Sequence, residues 1–319
     1  MQKNMLIAVG SGSLSAVASM AFFNGTPGAL LFVYMATLPI FLVALSMGPV
    51  LGMIACTAGL FVAFLMGGIF NACSFGLLHA FPAWIVSKNS LASETDADGV
   101  QVWAPVGQVL GLLAMACGAI IILASLYIAG GDNSTQDVVR SHLNEVFSVM
   151  ALNLGDAGTR SLIDTLVALF PGAMGAAWFM MTIVNALVAQ SILAKSDKNI
   201  RPTPTFASLT LPHWVVVPML VAGLVSLLSS GDVHYMAQNL TMIFAIPYFF
   251  LGLAVAHWAI GHVKNFRTPL FIGFYVILVA SGWALMLVTA MGMLEHWSGI
   301  RSRFSQNEHD QSNNLDIDA

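Results

Sequence analysis

Neutral polar side chains stand inside otherwise apolar stretches of the chain, among them Asn71, His79, Asn185, Gln190, Asn239 and Tyr248, with Gln108, His257 and His262 nearer segment ends. The first six are the strongest candidates for chemistry. Amides, an imidazole and a phenol donate and accept hydrogen bonds without a fixed charge. Such a set suits a neutral or zwitterionic small molecule. The same groups also serve as hydrogen bonds between helices, worth about 0.6 kcal/mol each on average in membranes. Both readings stay open. His79, just before Phe81-Pro82-Ala83-Trp84, is the first position to substitute, because a lone histidine in a membrane span is costly unless it is paired or faces a cavity.

What is missing narrows the chemistry further. There is no GxxxxGK[ST], so the chain does not bind ATP through a P-loop. Paired aspartates for Mg²⁺-diphosphate chemistry and the HExxH of zinc proteases are missing too. Gly10-Ser11-Gly12-Ser13 lacks the GxSG order of an intramembrane serine protease and reads better as a close-packing helix face. No carboxylate sits in the middle of an apolar stretch, where a proton- or sodium-coupled carrier usually needs one. No catalytic residue, metal ligand set or cofactor is therefore expected. Cys56, Cys73 and Cys117 form no CxxC pair and read as small packing residues.

The elements that position these residues follow from the distribution of charge. Between Lys3 and Lys88 there is no Asp, Glu, Lys or Arg. Further uncharged runs cover Gly99–Gly131, Thr165–Ala194, Pro202–Gly231, Val233–Val263 and Thr268–Leu294. A hydrocarbon core of about 30 Å takes about 20 helical residues to cross, and a charge at its centre costs roughly 2.5–3.5 kcal/mol. The chain is expected to be all-α, a polytopic transmembrane bundle of 8–9 helices over residues 1–304. The bilayer is its first partner. A net charge of −4 with no polybasic stretch argues against nucleic acid.

Nine apolar segments are read: 5–23, 29–45, 49–66, 69–86, 105–129, 171–194, 212–229, 236–262 and 269–293. Asn24–Gly28 and Ser46–Pro49 are turns by composition. The first segment is expected to be an uncleaved helix, since Gly10–Ser13 interrupts any signal-peptide core. Residues 87–104 form a polar loop. Ser134 and Asp137 resemble a capping box, and Val139, Leu143, Val146, Phe147, Met150 and Leu154 recur at helical spacing. Residues 130–170 therefore read as an extracytoplasmic amphipathic helical insertion, with a second short helix from Thr159 to Phe170. The tail 305–319 is polar and acidic and is expected to be disordered.

Lys195, Lys198 and Arg201 make the strongest positive loop, which the positive-inside rule places in the cytoplasm. Counting outward puts the N-terminus, the 87–104 loop and Lys264/Arg267 there too. The C-terminal Arg301 and Arg303 then fall outside, which the rule disfavours. Either one of the nine segments does not cross, or the tail is an exception. Trp84, Trp103, Trp214, Trp258 and Trp297 lie near segment ends, as in an interfacial aromatic belt. Ala8, Gly12 and Ala16 repeat every four residues and make a flat helix surface, for packing within the bundle or for docking another membrane subunit.

The stretch Leu38-Pro39-Ile40-Phe41-Leu42-Val43-Ala44-Leu45-Ser46-Met47-Gly48, with Gly52, Gly59 and Gly67-Gly68 after it, resembles the YybS-like family of uncharacterised bacterial integral membrane proteins. Gly292-Met293-Leu294-Glu295-His296-Trp297 with Arg301-Ser302-Arg303-Phe304 is similar to that family's ending. The resemblance covers most of 5–304. It implies a multi-pass protein of the bacterial inner membrane with a core like the S components of energy-coupling-factor importers, plus extra helices. Its implied partners are a membrane scaffold subunit and P-loop ATPases, and its implied docking face is the small-residue stripe. The expected role is a substrate-binding or transport-related subunit without its own ATPase. The rival is a membrane scaffold or envelope-assembly factor that uses the 134–154 helix and the acidic tail as contact surfaces.

Overall fold

A computed structural model describes residues 1–21, 28–131, 134–150, 155–263 and 265–304. The 305–319 tail, Lys264, Leu154 and most of the Asn24–Gly28 turn lie outside the described residues. The rest is a helical bundle: α1 Gln2–Ser19, α2 Ala29–Tyr34, α3 Leu38–Met47, α4 Pro49–Phe75, α5 Phe81–Ser90, α6 Val106–Ala129, α7 Thr135–Met150, α8 Gly155–Lys195, α9 Val216–Leu228, α10 Gly231–Gly261, α11 Arg267–Ala280 and α12 Gly282–Ser298. Five helical runs are long and apolar enough to cross a membrane, and the bent pair α11–α12 would make a sixth. α10 is the most buried, with α6, α8, α9 and α12 around it. The outside is covered by exposed Leu, Ile, Val and Phe such as Leu65, Phe70, Leu228 and Val279. A surface this apolar is matched to lipid.

The run Pro49–Ser90 does not cross as one rod. Gly67 and Gly68 leave helical geometry, and Gly68 has φ +69°, a value that favours glycine. Phe75 then packs back on Gly59, and Cys56 Sγ lies 3.4 Å from the Ala80 carbonyl. Residues that far apart touch only if the chain reverses at Gly67–Gly68. The segments 49–66 and 69–86 are thus the arms of a helical hairpin. α1 runs beside the first arm, with Gly12 on Ala55 and Gly59, and Met20 against Asn71.

Two expectations need correction. Residues 159–170 are not a separate surface helix; they are the first turns of α8, which continues through Pro171. The polar loop at 87–104 carries a small antiparallel hairpin, β1 Ser93–Thr95 with β2 Gln101–Trp103. The Asp96 carboxylate closes its turn by accepting the Asp98 and Val100 amides. α7 forms as its spacing predicts. Ser134 Oγ accepts the Asp137 amide at 3.1 Å and donates to that carboxylate, and Leu143 packs on Ile163 and Val167 of α8.

Several contacts fix which ends share a face. The Ile200 amide donates to Leu45 O, and Arg201 Nη1 to Ser90 O at 2.8 Å. Phe206 meets the His257 ring at 5.1 Å. Arg301 donates to Ala207 O and Leu209 O, and Phe304 lies 5.9 Å from Trp258. α11 leaves from this end, with His257 Nε2 2.8 Å from the Tyr275 hydroxyl, then bends by 115° into α12. α12 comes back along α10 to the same end. The pair α11–α12 is therefore bent back on itself, with both ends of 269–293 at the same end of the bundle. Lys3, Lys88, Lys195, Lys198, Arg201, Arg267, Arg301 and Arg303 share that end; only Arg140 and Arg160 among the described basic residues lie at the other. The puzzle of the C-terminal arginines disappears.

Candidate functional site

The gap between α2 and α3 is a helix interruption. Pro39 sits in the first turn of α3 and brings no N–H, and the Leu38 amide turns to Met35 O, so Tyr34 O and Ala36 O have no backbone donor. In lipid each must find another partner. Ser15 Oγ donates to Ala36 O. Asn185 Nδ2 donates to Tyr34 O at 2.6 Å and to Met181 O at 2.7 Å. Thr37 Oγ1 shares a hydrogen bond of 2.9 Å with His79 Nδ1. Thr37 is 0% exposed, His79 2% and Asn185 3%. His79 stands on a wide, i→i+5 turn, Gly76–Ala80, between α4 and α5, a local widening frequent at functional sites.

The amide orientation of Asn185 is forced, because its nitrogen faces two carbonyl oxygens. Its own Oδ1 is buried and has no partner. Two turns earlier on α8, Trp178 Nε1 is likewise buried without a partner. Thr182 lies between them, its hydroxyl donating to Trp178 O at 2.9 Å. One stripe of α8 thus carries an unused donor and an unused acceptor, about 10 Å apart at 1.5 Å per residue. No Asp, Glu, Lys or Arg is among the groups bonded at the break.

The other predicted residues sit elsewhere. Asn239 (0% exposed) repairs the Pro171 break: its Oδ1 accepts the Gly172 amide at 2.8 Å, and its Nδ2 donates to Ala168 O at 3.1 Å and to Tyr235 O at 2.9 Å. Tyr235 donates its hydroxyl to Val167 O, the carbonyl that Pro171 leaves unpaired. Gln190 holds the 196–213 loop through Arg201 O and Thr203 Oγ1. Asn71 lies by the Gly67–Gly68 turn. Tyr248 is buried with an unpartnered hydroxyl, edge-on to His296, which faces His213 at 5.6 Å. His79 and Asn185 therefore meet at one site, and Asn71, Gln190, Asn239 and Tyr248 do not join them.

Ala8, Gly12 and Ala16 are buried inside the bundle. A Cβ at Gly12 would run into the Ala55 carbonyl of α4. The stripe is a helix-packing face within the chain and is not free for another subunit. Sequence reasoning missed Ser15, Thr37 and Trp178 as members of the break. It also missed the buried Glu295–Arg301 pair at 2.8 Å, where Gly299 (φ +58°) turns the chain so that the two side chains meet. Pro39 was the available signal for the α2–α3 break. Outside the spans, burial lowers the pKa of the Arg201 guanidinium, which stacks 5.9 Å from Trp103. Among the described residues no three His, Cys, Asp or Glu side chains converge on a metal position.

The family model described as "Predicted membrane protein (DUF2232)" matches residues 13–295, from the first helix to Glu295 of α12. The chain belongs to this family. It is a multi-pass membrane protein in contact with the lipid bilayer. No curated protein and no solved structure matches it.

Proposed function

We propose that this DUF2232 protein is a substrate-binding or transport-related subunit that takes its energy from another protein, and that its ligand binds at the α2–α3 break. The observation that carries this reading is the Asn185 amide: its nitrogen holds a backbone interruption, and its Oδ1 is buried and unused. An unpaired buried acceptor costs about 1–3 kcal/mol, which a ligand donor would recover. Discontinuous helices near the membrane midplane are where secondary transporters hold their substrates. The neutral lining favours a neutral or zwitterionic ligand over an ion. The missing P-loop and the missing mid-span carboxylate leave no internal source of energy.

The YybS-like and S-component reading adds a scaffold and P-loop ATPases in the bacterial inner membrane, with the basic end cytoplasmic. Its docking face would have to lie away from Ala8, Gly12 and Ala16, which α4 covers. The scaffold rival is weakened because α7 buries Leu143 against α8. The test is extraction of small molecules from the full chain purified in mild detergent, wild type against Asn185→Leu and His79→Leu. A polar metabolite that is stoichiometric in wild type and absent from the variants supports the site. The reading fails if wild type carries none and a panel of amino acids, nucleosides and vitamins gives no thermal shift that Asn185→Leu removes. Co-purification of a stoichiometric P-loop ATPase tests the energy source separately.

A further inference from the structure

An open groove lies between α6, α9 and α10, at the end of the bundle opposite the basic loops. Its volume is about 410 Å³, within the range of ligand sites. Ile122 and Leu126 of α6, Val221 and Val225 of α9, and Met236 and Phe244 of α10 make apolar walls. From Asp232 at its mouth to Phe244 at its depth, α10 rises about 18 Å at 1.5 Å per residue. The groove is open along its side, where Leu126 is 65% and Val221 55% exposed, and its length matches one hydrocarbon chain laid along α10. Asp232 is the single charged side chain that lines it. Its Oδ2 accepts the Thr135 amide at 2.8 Å, and the other carboxylate oxygen has no hydrogen-bond partner among the described residues. Asp137 stands in the same first turn of α7 as Thr135, and the nearby Arg140 is paired with Asp164 at 2.5 Å.

We infer that this groove holds one acyl chain of a membrane lipid whose head group carries an ammonium, placed against Asp232. The apolar walls take the chain, the free carboxylate oxygen takes the ammonium, and the acidic mouth disfavours a head group of net negative charge. The inference is independent of the α2–α3 site.

The full chain in mild detergent is offered two phospholipids of identical acyl composition, one with an ethanolamine head and one with a glycerol head, and bound lipid is read by native mass spectrometry. Wild type should retain the ethanolamine lipid at one per chain with about fivefold preference, the size of one partly exposed ion pair. Asp232→Asn keeps an oxygen for the Thr135 amide and should bring the preference to about twofold or less. Ala222→Phe, which fills the wall, should lose the retained lipid of both kinds. No retained lipid in wild type, a preference for the glycerol head, or an unchanged preference in Asp232→Asn overturns the inference. The Asp232 result decides if Ala222→Phe fails to fold.

Discussion

Asn239→Leu is the sharpest test of how this bundle tolerates its broken helices. The side chain is fully buried and bridges α10 to α8, accepting the Gly172 amide and donating to Ala168 O. Leucine keeps the bulk and removes both bonds. Two backbone groups are then left unpaired in the membrane interior, at about 1–3 kcal/mol each by the soluble-protein measure. Bonds inside membranes return less, about 0.6 on average and 1.7 at most, because the unfolded chain in lipid also finds partners. The expected loss is about 2 kcal/mol. The reason for it is Pro171, so the loss should depend on Pro171. With Pro171→Ala, α8 can straighten and Gly172 can donate to Ala168 O within its own helix. Asn239→Leu in that background should cost less than about 0.5 kcal/mol, a coupling of about 1.5 kcal/mol. Unfolding by SDS in mixed micelles gives all four corners of the cycle. Additive losses would refute the repair argument and return Asn239 to the list of ligand contacts.

Other consequences are open to the same methods. Gly12→Leu should destabilise by about 1–3 kcal/mol through overpacking on Ala55, and Gly10→Leu, which faces open space, should be neutral; equal stability of the two variants would contradict the α1–α4 packing. Arg301→Ala should cost about 3–5 kcal/mol by leaving Glu295 buried and unpaired, with Glu295→Gln restoring part of it; hydrogen exchange at 206–209 should rise with the loss of the two carbonyl contacts. In a background free of Cys56, Cys73 and Cys117, a cysteine at Ser302 should react with an impermeant reagent from the same side as one at Ser196. One at Ser229 should react from the other side, and Ser302 labelling with Ser229 would mean that α11–α12 crosses after all.

Gaps in charge made the spans legible, because the cost of a charge in lipid leaves a mark that no local propensity blurs. The interruptions were harder to see. Pro171 reads as the end of a helix, and it is not one because Asn239 and Tyr235, more than sixty residues away, supply the missing partners. The 269–293 segment has the composition of a crossing. What brings its end back to the basic loops lies outside it, in Gly299, Arg301 and Phe304 and the loop they touch. At the candidate site, Asn185 and His79 were visible as polar groups in apolar runs. Their partners were not, since Tyr34 O and Ala36 O are backbone atoms that no residue type announces.

The polar side chains of the spans share a common logic. Interruptions such as those at 35–37, Gly67–Gly68 and Pro171 free backbone groups that lipid cannot satisfy. Ser15 and Asn185 serve the first, and Asn239 and Tyr235 the third. The second lies at the end of the hairpin arms and has Asn71 beside it. A chain that only needed straight helices would not carry these amides, so most of them are explained by repair. Repair does not explain Asn185 Oδ1 or Trp178 Nε1, which face inward on one stripe of α8 with nothing to bond. An amide chosen for structure alone could be replaced by serine, which has a donor and no stranded carbonyl. Asn185→Ser should therefore preserve the fold if its hydroxyl reaches Tyr34 O, and still abolish ligand retention if Oδ1 is the binding atom. A serine variant that folds and keeps its ligand would remove the α2–α3 break from consideration as the site.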